Sequence, residues 1–227
     1  MRKIITILIV LVTFIISGLL IIKKEKFQDQ AIQIKENQSY ISNNLKQTSD
    51  YAINNQQIID PDRSKEIIKD IAAVVIRLIK EKDFEKLSNY IHPELGVRFT
   101  PQTIVGDDDL VFSADEIKNF FNDNRIYEWG YAGASDDKKI RLTKAEYYNE
   151  FIYDKDFAAS DHIGYNEILQ ETGFIENQYE KYPGSIIVEY YVPGDDGFDW
   201  ATLRLVFQKY IDEKWYIVGI IHNTWTP

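Results

Sequence analysis

The chain has no cysteine, one methionine, three histidines and six prolines among its 227 residues. Without cysteine it forms no disulfide, thiolate metal site, cysteine nucleophile or lipidated cysteine, so its core alone must hold the fold. The histidines are His92, His162 and His222, and no two of them have metal-ligand spacing. The sequence has no G-x-S-x-G elbow, phosphate-binding glycine loop or dinucleotide fingerprint. That removes the most recognisable hydrolases, NTPases and dehydrogenases. Neither a metal nor a cofactor is expected, and no internal repeat is visible. Basic side chains are also scarce: residues 61–227 hold 19 Lys and Arg against 31 Asp and Glu, a net charge of −12. Such a surface repels phosphate backbones, so no nucleic-acid partner is expected.

What is abundant is apolar and aromatic. Hydrophobic residues make up 44% of the chain, and 15 Tyr, 12 Phe and 4 Trp imply an aromatic-rich core or pocket. Residues Ile4–Ile22 form an uncharged run of nineteen, flanked by Arg2 and Lys3 before it and Lys23, Lys24 and Lys26 after it. As a helix the run would extend about 29 Å, close to the hydrocarbon thickness of a bilayer. No small-x-small cleavage site follows it. Residues 1–22 therefore read as an uncleaved signal-anchor. The expected location is the cell membrane, single-pass, through residues 4–22, with the C-terminal domain extracytoplasmic. Lysines on both flanks leave the positive-inside rule nearly silent on orientation, and the short N-terminus favours N-in.

Residues 23–59 are Gln- and Asn-rich and contain neither Gly nor Pro, which permits helix. Phe27, Ala31, Ile34, Gln38, Ile41, Leu45, Thr48 and Ala52 step by alternating fours and threes, the spacing of a coiled-coil seam. The segment reads as a stalk, open to self-association, with a loose polar tether as the alternative.

Residues 60–227 read as one α+β domain. Asp60-Pro61 starts a helix, and Ile67, Ile71, Val74, Val75 and Leu78 follow helical spacing, widened by Ile68, Ala72, Ile76 and Ile79. Asp83 opens a short second helix, and Ser113/Glu116 and Thr143/Glu146 are capping boxes for two more. Strands are expected at Gly96–Pro101, Arg125–Tyr131, His162–Leu169, Ser185–Val192, Thr202–Tyr210 and Lys214–His222. If the last turn pairs Tyr210 with Trp215, then Leu203, Leu205, Phe207, Val218, Ile220 and His222 share one face.

The segments YIHPELGVRF, LVFS, YEWGYAG, YPGSIIVEYYVPG, FDWATLRLVF and WYIVGIIHNTWTP, from about Lys82 to Pro227, resemble an uncharacterised group of exported lipoproteins and membrane proteins of Gram-positive bacteria. Members of that group often begin with a lipidated cysteine, which this chain lacks. The element order also resembles NTF2-like folds, which implies a curved antiparallel sheet packed by helices. Such folds host isomerases, dehydratases and plain binding modules, so the likeness does not choose among them.

The candidate site gathers His92, Trp129, Trp200, His222 and Trp225 as ligand-binding residues, with His222 and Asp199 as the catalytic candidates. An imidazole beside a carboxylate at the end of an apolar face can exchange protons near neutrality. The bland alternative is that His222 hydrogen-bonds the chain end. The acidic runs Asp107-Asp108-Asp109 and Asp195, Asp196, Asp199 lack the spacing of a calcium loop and read as turns. Together these readings favour a domain that binds a small ligand, a peptide or an envelope protein. The alternatives are an NTF2-like enzyme using the His/Asp pair and a structural or assembly component.

Overall fold

A computed structural model describes residues 58–133, 136–170, 176–195 and 198–225. Residues 56–227 form one compact unit. Its first helix, α1 (Pro61–Lys80), begins where the Asp60 carboxylate accepts from the N–H groups of Asp62 and Arg63, at 3.0 and 3.3 Å. Its most buried line is Ile68, Ala72, Val75 and Ile79, widened by Ile76 and Leu78. Ile67, Ile71 and Val74 pack at the margin of the core. Next come α2 (Phe84–Leu87), β1 (Val97–Thr100), β2 (Leu110–Phe112) and α3 (Ala114–Lys118). The hairpin β3 (Ile126–Gly133) and β4 (Asp136–Thr143) leads into α4 (Lys144–Phe151). The chain closes with β5 (His162–Tyr165), α5 (Gln178–Lys181), β6 (Ile186–Val192), β7 (Trp200–Lys209) and β8 (Trp215–Trp225). Both capping boxes are complete: Glu116 and Glu146 each accept from their cap residue's backbone N–H.

The main sheet has the order β2-β1-β8-β7-β6-β5, and β3–β4 forms a separate two-stranded sheet. This corrects the expected architecture of a transmembrane helix, a stalk and an NTF2-like antiparallel sheet in two respects. The sheet is mixed, because β1 lies parallel to β8, with Phe99 opposite Ile220. Parallel neighbours need a long crossover, and here every element from β2 to β7 lies between the two strands in sequence. Four residues of β1 carry no signal of which distant strand they join. Second, no helix among the described residues is long and apolar enough to cross a membrane. The longest, α1, has 20 residues but eight charged side chains. The anchor expected at 4–22 and the stalk expected from 23 lie outside the described residues, apart from Ile58 and Ile59. The strand β4 was not expected either, because its Asp-Asp-Lys-Lys start reads as loop.

The register of the last hairpin deviates from expectation by one instructive residue. Tyr210 pairs with Lys214 rather than Trp215, around the loop Ile211-Asp212-Glu213 with Glu213 at φ +66°. A three-residue loop ending in a left-handed residue is a common hairpin closure. Phe207 therefore opposes Ile217, yet Leu205 opposes Ile220 and Leu203 opposes His222 as expected. The bulge between Val206 and Phe207 absorbs the difference at Val218. Val218 consequently leaves the inner face and packs with Val206, Ile187 and Ile221 on the outer one. The inner face carries Ala201, Leu203, Leu205, Phe207, Ile217 and Ile220, and the helices close over it in the main core.

Candidate functional site

His222 sits on the inner face, fully buried, between Phe151 and Phe157, whose rings present to it edge-on at 6.0 and 6.3 Å. Its Nε2 lies 2.9 Å from Asp154 Oδ1. An ionised carboxylate only accepts, so Nε2 carries the proton and donates. Nδ1 is buried without a partner among the described residues. The partner is thus Asp154, in the turn after α4, and not the expected Asp199. Asp199 instead pairs with Lys155 at 2.7 Å, one residue along that turn. On the far side of the same turn Asp156 accepts from Lys80 Nζ at 2.7 Å and from the Tyr153 hydroxyl at 2.6 Å. Three consecutive side chains, Asp154 to Asp156, thereby fasten the turn to β8, the β6–β7 connection and α1.

The remaining expected site residues are dispersed. Trp200 and Trp225 are opposite each other on β7 and β8, at positions of outer-face parity, so the sheet separates them from His222. Trp225 is 37% exposed and packs 4.8 Å from Phe198. His92 lies beside Tyr210 and Tyr216 at the opposite end of β8, about 20 Å from His222 at the rise of a strand. Its Nδ1 accepts from the N–H groups of Glu94 and Leu95, and burial pulls its pKa below the ordinary histidine value. It holds a turn. Trp129 is sealed in the core, donating from Nε1 to the Leu142 carbonyl and stacked at 3.7 Å on Tyr147. Tyr147 stacks in turn on Phe151, which connects Trp129 to His222 through rings only.

Asp107 pairs with Lys181, and Asp109 accepts from the Thr100 hydroxyl and the Gly106 N–H. Among the described residues no three His, Asp or Glu side chains gather as a metal site.

Sequence reasoning missed two buried charge clusters. Glu189 and Arg204 face each other across β6 and β7 at 2.7 Å, both nearly inaccessible, and Glu176 reaches Arg204 from above at 3.1 Å. Burial pushes the Glu189 carboxyl above its ordinary range while the guanidinium pulls it back. A lone Glu and a lone Arg at the centres of adjacent strands was the available signal. Lys144, also buried, reaches Asp123 at 3.2 Å and lies 4.3 Å over the Phe112 ring.

No protein-family model matches the chain, and no curated protein matches it. The site must therefore be read from geometry alone. Two open grooves stand out. One, about 630 Å³, runs beside the β3–β4 hairpin and is lined by Ile140, Leu142 and Phe151 among five charged side chains of mixed sign. The other, about 440 Å³, lies between α1 and β5. Ala73, Ile76, Ile163, Tyr165 and Tyr190 form its walls, and Lys69, Arg77, Lys80 and Glu81 rim it. Lys80 is neutralised by Asp156, whereas Lys69 and Arg77 have no ion-pair partner among the described residues. Of the two, the second has the more continuous apolar and aromatic surface, and its rim carries Lys69 and Arg77 beside a single carboxylate, Glu81.

Proposed function

We propose that the domain is a binding module whose working surface is the groove between α1 and β5, and that it takes an anionic ligand with an apolar body. The observation that carries this reading is the placement of Lys69 and Arg77 over Ala73, Ile76, Ile163 and Tyr190, in a domain whose net charge is −12. Exposed charge pairs contribute only about 0.2–1 kcal/mol each, while apolar burial contributes about 25 cal/mol per Å². The apolar wall therefore supplies most of the affinity, and the two cations select the sign of the ligand and steer its approach. An acid–base role for His222 draws no support from an imidazole closed off by Phe151, Phe157 and Asp154.

A titration of the full chain with 1-naphthoate, followed by amide chemical shifts, tests the reading. Shifts should concentrate at Ile163, Tyr165 and the facing turns of α1. The double variant Lys69→Glu/Arg77→Glu should bind at least about tenfold more weakly, the equivalent of about 1.4 kcal/mol. Equal binding by parent and variant would overturn it.

A further inference from the structure

The groove has an unusual neighbour: one of its walls, β5, is also the outer strand of the sheet. We infer that the occupant is an extended peptide that adds to β5 as a seventh strand, with acidic side chains four positions apart around an apolar one. This rests on the groove reading above and goes beyond it by naming the class of partner.

The backbone geometry comes first. Among the described residues β5 ends the order of the six-stranded sheet, with β6 on one side only. Just beyond it, the Asn166 N–H donates to the Ile187 carbonyl at 2.7 Å. In an antiparallel ladder the N–H and C=O of one residue point the same way and alternate along the strand. Gly164 and His162, opposite Glu189 and Tyr191, share the parity of Asn166 and point toward β6. Ile163 and Tyr165 therefore point their N–H and C=O groups away from the sheet, and no other described segment bonds them. Their side chains line the groove. Two residues thus present a free edge and an apolar wall together, and Ile163 is 37% exposed. The other face of β5 is closed: a Cβ on Gly164 would lie 2.2 Å from the Glu167 carbonyl oxygen.

The side chains give the spacing. α1 runs alongside β5 in the opposite sense, since Lys65 lies 5.8 Å over the Tyr165 ring while Lys80 reaches Asp156, ahead of β5 in sequence. Lys69 and Arg77 are eight residues apart, about 12 Å along a helix. Positions i and i+4 of a strand share a face and are about 13 Å apart. An added strand would set two carboxylates against Lys69 and Arg77 and its middle inward side chain beside Ile163 and Tyr165, facing Ala73 and Ile76. Main-chain bonds would supply affinity and the alternate side chains selectivity, as in other strand additions.

The probe is a labelled Glu-Thr-Val-Thr-Glu peptide titrated into the full chain, beside a scrambled peptide with adjacent carboxylates. The spaced peptide should bind at least about tenfold more tightly than the scrambled one. N-methylation of its amides in one alternation should abolish binding and in the other leave it intact, while the Ile163 and Tyr165 amides gain protection from exchange. Peptide binding that is insensitive to methylation in both alternations overturns strand addition but leaves the groove reading in place. So does the absence of peptide binding while naphthoate still binds at Ile163 and Tyr165. If neither probe binds there, the groove reading itself has failed and strand addition with it.

Discussion

The two faces of β7 are equally buried and built by opposite means. Residues 200–207 are all buried. Inward, Ala201, Leu203, Leu205 and Phe207 join a core whose rings include Phe99, Phe112, Phe120, Trp129, Tyr147 and Tyr148. Outward, Thr202 and Arg204 lie among Glu189, Glu176, Gln178 and Asn223, and only Val206 joins a small apolar cluster. The inner side holds few polar atoms: His222 makes one bond, to Asp154, and among the described residues its Nδ1 and the Tyr147 hydroxyl have no partner. The outer face leaves Arg204 Nη1, Thr202 Oγ1, Gln178 Oε1 and Asn223 Nδ2 buried without a partner among the described residues. Burial on the inner side follows from the hydrophobic effect, which needs no directional match. On the outer side it depends on mutual satisfaction of polar groups, where each missing partner is costly. The contrast teaches that burial of a strand residue says little about which force keeps it buried.

The sharpest way to break this comparison is at the ion pair. Arg204→Ala strands Glu189 and should destabilise by about 3–5 kcal/mol, measured by denaturant unfolding. The double change Glu189→Met/Arg204→Met should recover part of that loss, because it removes the fully buried carboxylate and leaves only the partly exposed Glu176 without its partner. A double variant as unstable as the single one would mean that the outer face needs its charges in place.

A smaller effect is expected on the inner face. His222→Ala removes the one bond to Asp154 and should cost about 1–3 kcal/mol. Asp154→Asn should cost less, since an amide oxygen still accepts from Nε2–H. Binding of naphthoate in the groove should be unchanged in both variants, because neither side chain lines it. Loss of binding without loss of stability would move the functional site to His222.

The smallest effect is a slope with pH. Burial pushes the Asp109 carboxyl up, against the Thr100 and Gly106 bonds that pull it down. A carboxylate raised in the folded state favours folding when protonated. That contribution is present below the unfolded value and is lost as pH rises through the folded one. The stability of the parent relative to Asp109→Asn should therefore fall as pH increases from about 4 through the raised value, then level off. An opposite slope would show that the hydrogen bonds, not burial, dominate.

Legibility followed the range of the interaction. Asp60-Pro61, Ser113/Glu116 and Thr143/Glu146 act within one helical turn, so their helices could be placed from local residues. The inward set Leu203, Leu205, Phe207, Ile220 and His222 could be listed because strand alternation is local too. Val218 was lost because its side depended on a single left-handed residue, Glu213, and a compensating bulge. The expected site failed to gather because Trp200 and Trp225 differ from His222 in parity across one sheet, and His92 lies at the other end of β8. Asp154 was invisible as a partner because its separation from His222, 68 residues, has no periodic signature.

Composition and short-range pattern were sufficient for the α+β class, the helix starts, the strand run at the C-terminus and the acidic surface, since these depend on nearest neighbours along the chain. The parallel seating of β1 against β8, the Glu189–Arg204–Glu176 cluster, the Asp154 partner of His222 and the free edge of β5 beside Lys69 and Arg77 emerged only in three dimensions. Each depends on which distant segments meet, and that is set by the packing of the whole core, not by any local run of residues.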